Sequence, residues 1–475
     1  MPTGRTPDAV LTAAASAVSA RTGGPELDVW AGCAPGTEPE TAAELAALGW
    51  RQPHLPTGSS PTATTSGLAW HRGAVHGRAD LAATLRTLWT ARTITGVMLC
   101  LAVVDLEGGS GGSTPTGAGG GSTDAGDVSD ESDEPDRRDG SDERDDRADR
   151  AELSRNHNEL DRREHGGRLE QVHEVITNLD LSRMPHAAFA VRAERRGAHR
   201  FRSPELAGVA GQAIIDAVRA RTGRRLPVDL EQPVTEVKVE LDHQRLRVGY
   251  VLGAGFQRRP WLRAHHHAGL RPTTAAALLG YAGWTDGERL IDPLTGGGTI
   301  PIEAGLTTLR WPVRGHHTDR LQALGLQDAA LSAEVRADID ATARTPRPLP
   351  IRGLELYGHH VTTARTNRSA AGLDDAIRID QGDATRMVGV DGFDCLVTNP
   401  PYGLRAGSPR VVAPLYRALL ARTAEHLAAG GRAVVLTPAD ATLREAAATA
   451  DLTIGDERAM TLGKLDVRAF LLTHT

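Results

Sequence analysis

At 475 residues the chain has room for two to four domains, each able to bury its own core, and a small disulfide-stapled scaffold is excluded. Its formal net charge of −6 argues at first sight against a nucleic-acid partner. That charge is unevenly spread: residues 105–165 hold 19 acidic and 8 basic side chains, or −11, and the remaining 46 basic and 41 acidic residues leave a body of +5.

Residues 1–26 read as an N-terminal extension, whose Ala-rich run has too little Leu or Ile for the apolar centre of a signal sequence. Residues 27–104 contain LDVWAGCAPG, then a helically spaced ETAAELAALGW, then a helix near Leu81–Ala91 that leads into the strand-like GVMLCLAVV. That last run is the best apolar stretch of the chain and is far shorter than the ~18 residues that span a bilayer, so no membrane association is expected. Residues 108–123, GGSGGSTPTGAGGGST, open a tract of Asp, Glu and Arg with almost no large apolar side chain. Nothing there offsets the entropy of ordering, and 105–165 is expected to be a disordered insertion.

Residues 166–255 predict a helix, LEQVHEVITNL, a strand, AAFAVRAER, a helix from Pro204 to Arg221, and the alternating strands EVKVEL and QRLRVGYVL. From 256 to 475 the strands RLIDPL, PIRGLELYG, AIRIDQGDA, FDCLVTNPPYG and GRAVVLT alternate with Ala-rich helices. Such alternation marks βαβ units on a parallel sheet, so the fold class is α/β with a Rossmann-like C-terminal domain whose ligands sit beyond the carboxyl ends of its strands. The widely spaced Cys33, Cys100 and Cys395 form no Cys-x-x-Cys pair, which points to a reducing cytoplasm and away from structural zinc. His265-His266-His267 has no Asp or Cys at ligand spacing, and no metal is expected.

Asp292-Pro293-Leu294-Thr295-Gly296-Gly297-Gly298-Thr299 stands where a strand turns into a helix. Its glycines permit a sharp turn and close approach of a ligand, while Asp292 can accept from a cationic or N–H donor. The spacing fits neither a phosphate-binding GxxxxGK[ST] loop nor a GxGxxG dinucleotide loop. Glu355 ends the next strand, where a carboxylate suits a ribose diol, although a solvated strand end reads the same way. Gly382-Asp383-Ala384 closes the third, and Asp383 there is either an acceptor for an adenine amine or part of an ordinary Gly-Asp turn. Asn399-Pro400-Pro401-Tyr402-Gly403 is the most specific motif: two prolines remove N–H donors, leaving the Asn oxygen and a proline carbonyl to accept both hydrogens of an exocyclic amine. Tyr402 can stack on the ring that carries it.

This succession of motifs resembles the class I S-adenosylmethionine-dependent amino-methyltransferases. The stretch from Phe189 to Ser203 resembles the core of a THUMP domain, an RNA-binding module of the tRNA acceptor end. Ala34-Pro35-Gly36-Thr37-Glu38 with Glu44-Leu45 resembles the start of the ferredoxin-like domain that precedes THUMP in RNA guanine-N2 methyltransferases. The resemblance implies a ferredoxin-like domain at 27–104, THUMP at 166–255 and the methyltransferase domain at 256–475, and it is nearest to the group that modifies guanine 6 of the tRNA acceptor stem. It implies S-adenosyl-L-methionine as cofactor, held by Asp292, Thr295, Gly296, Gly298, Thr299, Glu355, Asp383, Ala384 and Asn399. Leu270-Arg271-Pro272-Thr273 resembles a further cofactor-side segment and adds Thr273. Asn399, Pro400, Pro401 and Tyr402 are the expected catalytic residues. The chain departs from the family at Gly297, usually Ser, which loosens the loop, and at Glu355, usually Asp.

Arg192, Arg195, Arg196, His199, Arg200 and Arg202 form a basic cluster, which in such a protein implies salt-dependent phosphate contacts and otherwise reads as a solvated face. The expected reaction is methyl transfer to guanine N2 in tRNA. Alternatives are an rRNA guanine, another amine such as adenine N6 or a glutamine side chain, and a catalytically silent RNA-binding adapter. The THUMP-like segment argues against the other amines, and the intact glycine loop and NPPY against the adapter.

Overall fold

The computed structural model describes residues 26–53, 68–106, 167–264, 269–313, 318–403 and 409–474. The N-terminal extension before Glu26, nearly all of the acidic insertion and His265–His267 lie outside the described residues. The chain divides into two compact units, one made of the residues up to Cys100 with Tyr250–Thr475, the other of Leu101–Gly249.

The first unit begins with β1 (Leu27–Cys33), the helix Glu38–Ala47, β2 (Ala69–His71), β3 (Ala74–Ala79), the helix Leu81–Thr90 and β4 (Ile94–Asp105), a β-α-β-β-α-β order. The strands lie β2-β3-β1-β4, with β1 antiparallel to both β3 and β4. Local chemistry sets the helix starts: Pro39 occupies the first turn of one, and Asp80 caps the other by accepting from the Ala83 amide at 2.7 Å. Glu38 and Glu44 of the ferredoxin-like resemblance are structural braces. Glu38 accepts from the amides of Gly36 (2.7 Å) and Gly73 (2.6 Å), and Glu44 from those of Arg92 (2.7 Å) and Thr93 (2.9 Å).

The second unit holds a helix over 167–177, β5 (Phe189–Arg196), the helix Ser203–Thr222, β6 (Thr235–Asp242) and the start of β7 (Arg245–Ala254). β5 and β6 run parallel, as a helical crossover requires, and β6 alternates buried and half-buried residues. Glu205 closes the first turn of the crossover helix on the Arg202 amide at 2.6 Å, and Gly223, at φ 70°, ends it.

The C-terminal domain belongs to the first unit. After the helix Pro272–Tyr281 come β8 (Leu290–Asp292), β9 (Ile351–Glu355), β10 (Arg378–Gln381), β11 (Phe393–Thr398), β12 (Leu427–Thr437), β13 (Leu452–Leu462) and β14 (Leu465–His474), in the order β10-β9-β8-β11-β12-β14-β13. Side chains alternate across the sheet into two cores: Leu290, Cys395 and Val397 enter one, Ile291, Leu396 and Phe470 the other. The parallel sheet expected from the strand–helix alternation extends only through β12, because β14 is antiparallel to both β12 and β13. The physical reason is the two-residue link Gly463-Lys464, which can close a hairpin but not a parallel crossover. Strand order reverses between β8 and β11, which opens a crevice beyond their carboxyl ends.

The N-terminal module and the C-terminal domain meet at buried charge. Glu303, on the helix Thr299–Thr308, is fully buried, and its carboxylate pairs with Arg259 at 2.9 Å and Arg92 at 3.3 Å. Arg259 also donates to the carbonyls of Phe256 and Arg92, both at 2.7 Å, and Arg92 to those of Leu306, at 3.0 Å, and Trp311.

Candidate active site

The crevice at the β8/β11 switch point is a cavity of about 600 Å³. Of the residues expected to hold a cofactor, Asp292, Thr295, Gly296, Thr299, Glu355, Asp383, Ala384 and Asn399 line it, as do Pro400, Pro401 and Tyr402. Gly298 does not. At φ 82° it caps the helix Thr299–Thr308, and a Cβ there would press on Ala364, Ile302 and Ile379. Gly297 takes the lining place instead.

The loops around the cavity hold one another. Glu355 spends one carboxylate oxygen on the Gly296 amide and the other on the Tyr357 amide, both at 3.1 Å, with His360 Nδ1 3.4 Å away. Sequence reasoning missed Asn367, a buried helix residue. Its Nδ2 donates to the carbonyls of Gly297 and Ala264, both at 3.0 Å, while its Oδ1 accepts from the amides of Arg263 and Ala264. This side chain restrains the loop that a glycine at 297 would loosen. A lone Asn inside a polar helix gives no sequence signal for that role.

Asp292 is 2% exposed and accepts from Thr398 Oγ1 at 2.7 Å and the Leu294 amide at 3.2 Å. Burial pushes its carboxyl up to about 7 despite these bonds. Asp383 behaves oppositely: the Thr385 hydroxyl (2.6 Å) and amide (2.8 Å) hold its carboxyl below the ordinary value. At the end of β11, Asn399 Oδ1 is buried with no hydrogen-bond partner among the described residues. An acceptor left so costs about 1–3 kcal/mol unless a ligand supplies a donor.

Thr273 is buried and does not line this cavity. Its neighbours Arg271 and Thr274 line a smaller one of about 150 Å³, together with Asn399, Tyr402, Ala34 and the β13–β14 turn. The sequence reading passed over that turn altogether; the signal available was the two-residue Gly-Lys link between two runs containing Leu, Met and Val.

The basic cluster lies in the second unit and is not gathered on one face. Arg192 and Arg196 share one side of β5 and Arg195 points to the other. Arg192 pairs with Glu236 at 3.0 Å and donates to the Leu230 carbonyl. His199 Nε2 lies 2.9 Å from the Arg196 carbonyl, and burial lowers its pKa. Arg200 and Arg202 occupy the turn that leads into the helix Ser203–Thr222, where the Arg202 amide is the one held by Glu205.

Among the described residues no group of three or more His, Cys, Asp or Glu side chains is placed to hold a metal ion, and no helix is long and apolar enough to cross a membrane. Cys33 and Cys395 are buried free thiols, and burial raises both.

Comparison with known proteins places this geometry in a family. Residues 259–467 match the RMKL-like methyltransferase domain and residues 168–250 the THUMP domain. The tRNA (guanine(6)-N2)-methyltransferase of Archaeoglobus fulgidus is 34% identical over 62% of this chain and 72% of its own length. The enzyme of the same name from Methanocaldococcus jannaschii is 29% identical over 64% of this chain and 81% of its own. The ribosomal RNA large subunit methyltransferase K/L of Photobacterium profundum is 32% identical, over 44% of this chain and 30% of its own length. Two solved structures share the fold: SMU.472 complexed with SAH (TM-score 0.68, 17% identity, 95% of this chain and 98% of that one) and TrmN from Thermus thermophilus (0.56, 22%, 94% and 100%). The chain belongs to the methyltransferase family that joins a THUMP domain to an RMKL-like catalytic domain, the family of those two archaeal enzymes.

Proposed function

We propose that this chain transfers a methyl group from S-adenosyl-L-methionine to the N2 amine of a guanosine in tRNA, at position 6 of the acceptor stem, in the cytoplasm. The observation that carries the reading is the buried, unpartnered Asn399 Oδ1 beside the glycine loop. The archaeal relatives support the choice of tRNA, because their similarity reaches over 62–64% of this chain. An rRNA guanine is the second reading, favoured by the similarity of the large-subunit enzyme to 44% of it.

The residues present fit the cofactor. Acidic side chains stand at three strand ends around one cavity, an arrangement suited to a cationic amino acid, a ribose diol and an adenine amine. Bound there, the cofactor supplies an electrophilic methyl group. Glu355 accepts from the ribose hydroxyls, Asp383 from the adenine amine, and Asp292 from a donor at the cationic end.

A guanine amine is a poor nucleophile because its lone pair is delocalised into the ring. Asn399 Oδ1 and the Pro400 carbonyl, each accepting one N2 hydrogen, direct that lone pair at the methyl group, so positioning supplies most of the rate. The prolines bring no N–H of their own to compete for those acceptors. No strong base is needed, since the amine sheds a proton once methylated. Reaching N2 within a stem requires the nucleotide to leave its stack, and Tyr402 offsets part of that cost by stacking on the base. The basic side chains of the THUMP domain, which face more than one side of β5, supply phosphate affinity with little sequence information.

Asn399→Ala is expected to lose about a hundredfold or more in turnover on tRNA, far more than it changes cofactor affinity measured by calorimetry. Unchanged turnover would overturn the mechanism. Mass spectrometry of tRNA nucleosides from a deletion strain should show N2-methylguanosine missing at position 6. Its loss from rRNA alone would establish the second reading.

A further inference from the structure

Beside Asn399, the smaller cavity of about 150 Å³ has a composition unlike that of the cofactor cavity. A cavity of roughly this volume admits one aromatic ring, so it can take the six-membered ring of a purine, leaving the five-membered ring at the mouth where the exposed Arg271 stands. Its walls come from the N-terminal module at Ala34, from the start of the helix Pro272–Tyr281 at Arg271 and Thr274, and from the β13–β14 turn, with Asn399 and Tyr402 between them. Thr274 is 0% exposed and its hydroxyl has no hydrogen-bond partner among the described residues. A buried hydroxyl in a helix ordinarily bonds back to its own backbone; that of Thr274 does not, and unlike the similarly placed Thr273 this residue lines the cavity. Arg271 is exposed, makes no side-chain cap to its helix, and among the described residues enters no ion pair.

We propose that this cavity reads the target base: Arg271 donates to O6 and N7 of the extruded guanine and Thr274 accepts its N1 hydrogen while Asn399 holds N2. The inference rests on the guanine-N2 reading above and adds the residues that choose the base. The chemistry follows from the order of groups on guanine. With N2 at Asn399, the adjoining edge presents N1–H and then O6, with N7 beyond. A guanidinium pairs with O6 and N7 through two parallel bonds, the pairing most often used to recognise guanine. A purine offered through an exocyclic amine but lacking O6 and N1–H leaves both Arg271 and the buried Thr274 hydroxyl unsatisfied, and discrimination of that kind is strong.

The test uses the full-length enzyme and tRNA carrying either guanosine or 2-aminopurine riboside at the target position. The analogue keeps the N2 amine and lacks O6 and N1–H. The native enzyme should prefer guanine by about ten- to a hundredfold in kcat/KM. Arg271→Ala should reduce that preference to within about threefold by slowing reaction on guanine alone, Arg271→Lys should restore part of it, and Thr274→Val should lower it independently, each with unchanged affinity for S-adenosyl-L-methionine. A wild-type preference retained in Arg271→Ala and Thr274→Val would overturn the inference, and so would a loss of cofactor affinity with the preference intact. If the native enzyme methylates no guanosine in tRNA or rRNA while still binding the cofactor, the underlying reading fails and this one with it. If it methylates guanosine and 2-aminopurine equally, this inference alone fails.

Discussion

On the cofactor side of the crevice, the loops after β8 and β9 brace each other: Glu355 holds Gly296, and Asn367 holds Gly297 from the helix that follows β9. The acceptor side around Asn399 and Tyr402 is closed by segments hundreds of residues apart. There the Thr461 amide at the end of β13 donates to the Pro35 carbonyl at 3.1 Å, and Arg458 on the same strand pairs with Glu40 and stacks over Tyr281. The two sides share a cavity and differ in what secures them. The proposed cofactor residues all lie within one domain, whereas the wall proposed to face the substrate depends on the N-terminal module.

The largest expected break in that contrast comes from Gly36. It sits at φ 92°, and an added Cβ would collide with the Ala459 carbonyl oxygen and crowd Met460. The turn cannot yield, because Glu38 fastens it at both Gly36 and Gly73. Gly36→Ala combines a left-handed backbone with an overpacked contact, each costing on the order of 1–2 kcal/mol, and should shift β13 outward. Methylation should fall by about tenfold or more while cofactor affinity, measured by calorimetry on protein whose thermal melt shows it folded, stays within about twofold. Equal losses in both would erase the distinction between the two sides.

A smaller effect is expected at Asp292, and it should touch the cofactor side alone. Its carboxyl, pushed up to about 7 by burial, is raised above the unfolded value. The stability this contributes to the ligand-free protein is full below about pH 4 and is lost as pH rises through about 7. Affinity for a cationic ligand runs the other way, rising about tenfold between pH 6 and 8 as the carboxylate forms. Asp292→Asn should flatten both profiles and leave affinity near the native value at low pH. A native profile that is flat across this range would show that Asp292 does not face the cation.

The smallest change is Glu355→Asp. The shorter carboxylate cannot reach both the Gly296 and Tyr357 amides, so cofactor affinity should drop by a few-fold, roughly the value of one hydrogen bond. The guanine preference should stay unchanged; a shift in that preference would mean that the two sides communicate.

The same contrast governs what was legible in the sequence. Asp292, Glu355, Asp383 and Asn399, which line one cavity, could be singled out as candidates because parallel strands end in glycine or proline punctuation and each of them lies within a few residues of it. β13 escaped because it is an edge strand, with Asp456, Glu457 and Arg458 interrupting any alternation, and half of its residues are exposed or nearly so. Asn367 escaped because its partners, Gly297 and Ala264, are 70 and 103 positions away. The basic run 192–202 was read as one cluster since adjacent letters look like adjacent charges. On a strand, neighbours point to opposite faces, and Arg195 leaves the side that Arg192 and Arg196 occupy.

The Arg92–Glu303–Arg259 cluster bears on how such a chain can descend. Glu303 lies one turn into the helix that starts at the glycine loop, and half of its ionic partnership is contributed by the N-terminal module. A chimaera that imported an N-terminal module with no arginine at position 92 would take one of its two arginines from the buried Glu303 carboxylate and a donor from the Leu306 and Trp311 carbonyls, at a few kcal/mol. Shuffling of these modules between lineages is therefore penalised from the first step. In this chain the catalytic domain with its buried glutamate is therefore best exchanged together with the module that carries Arg92.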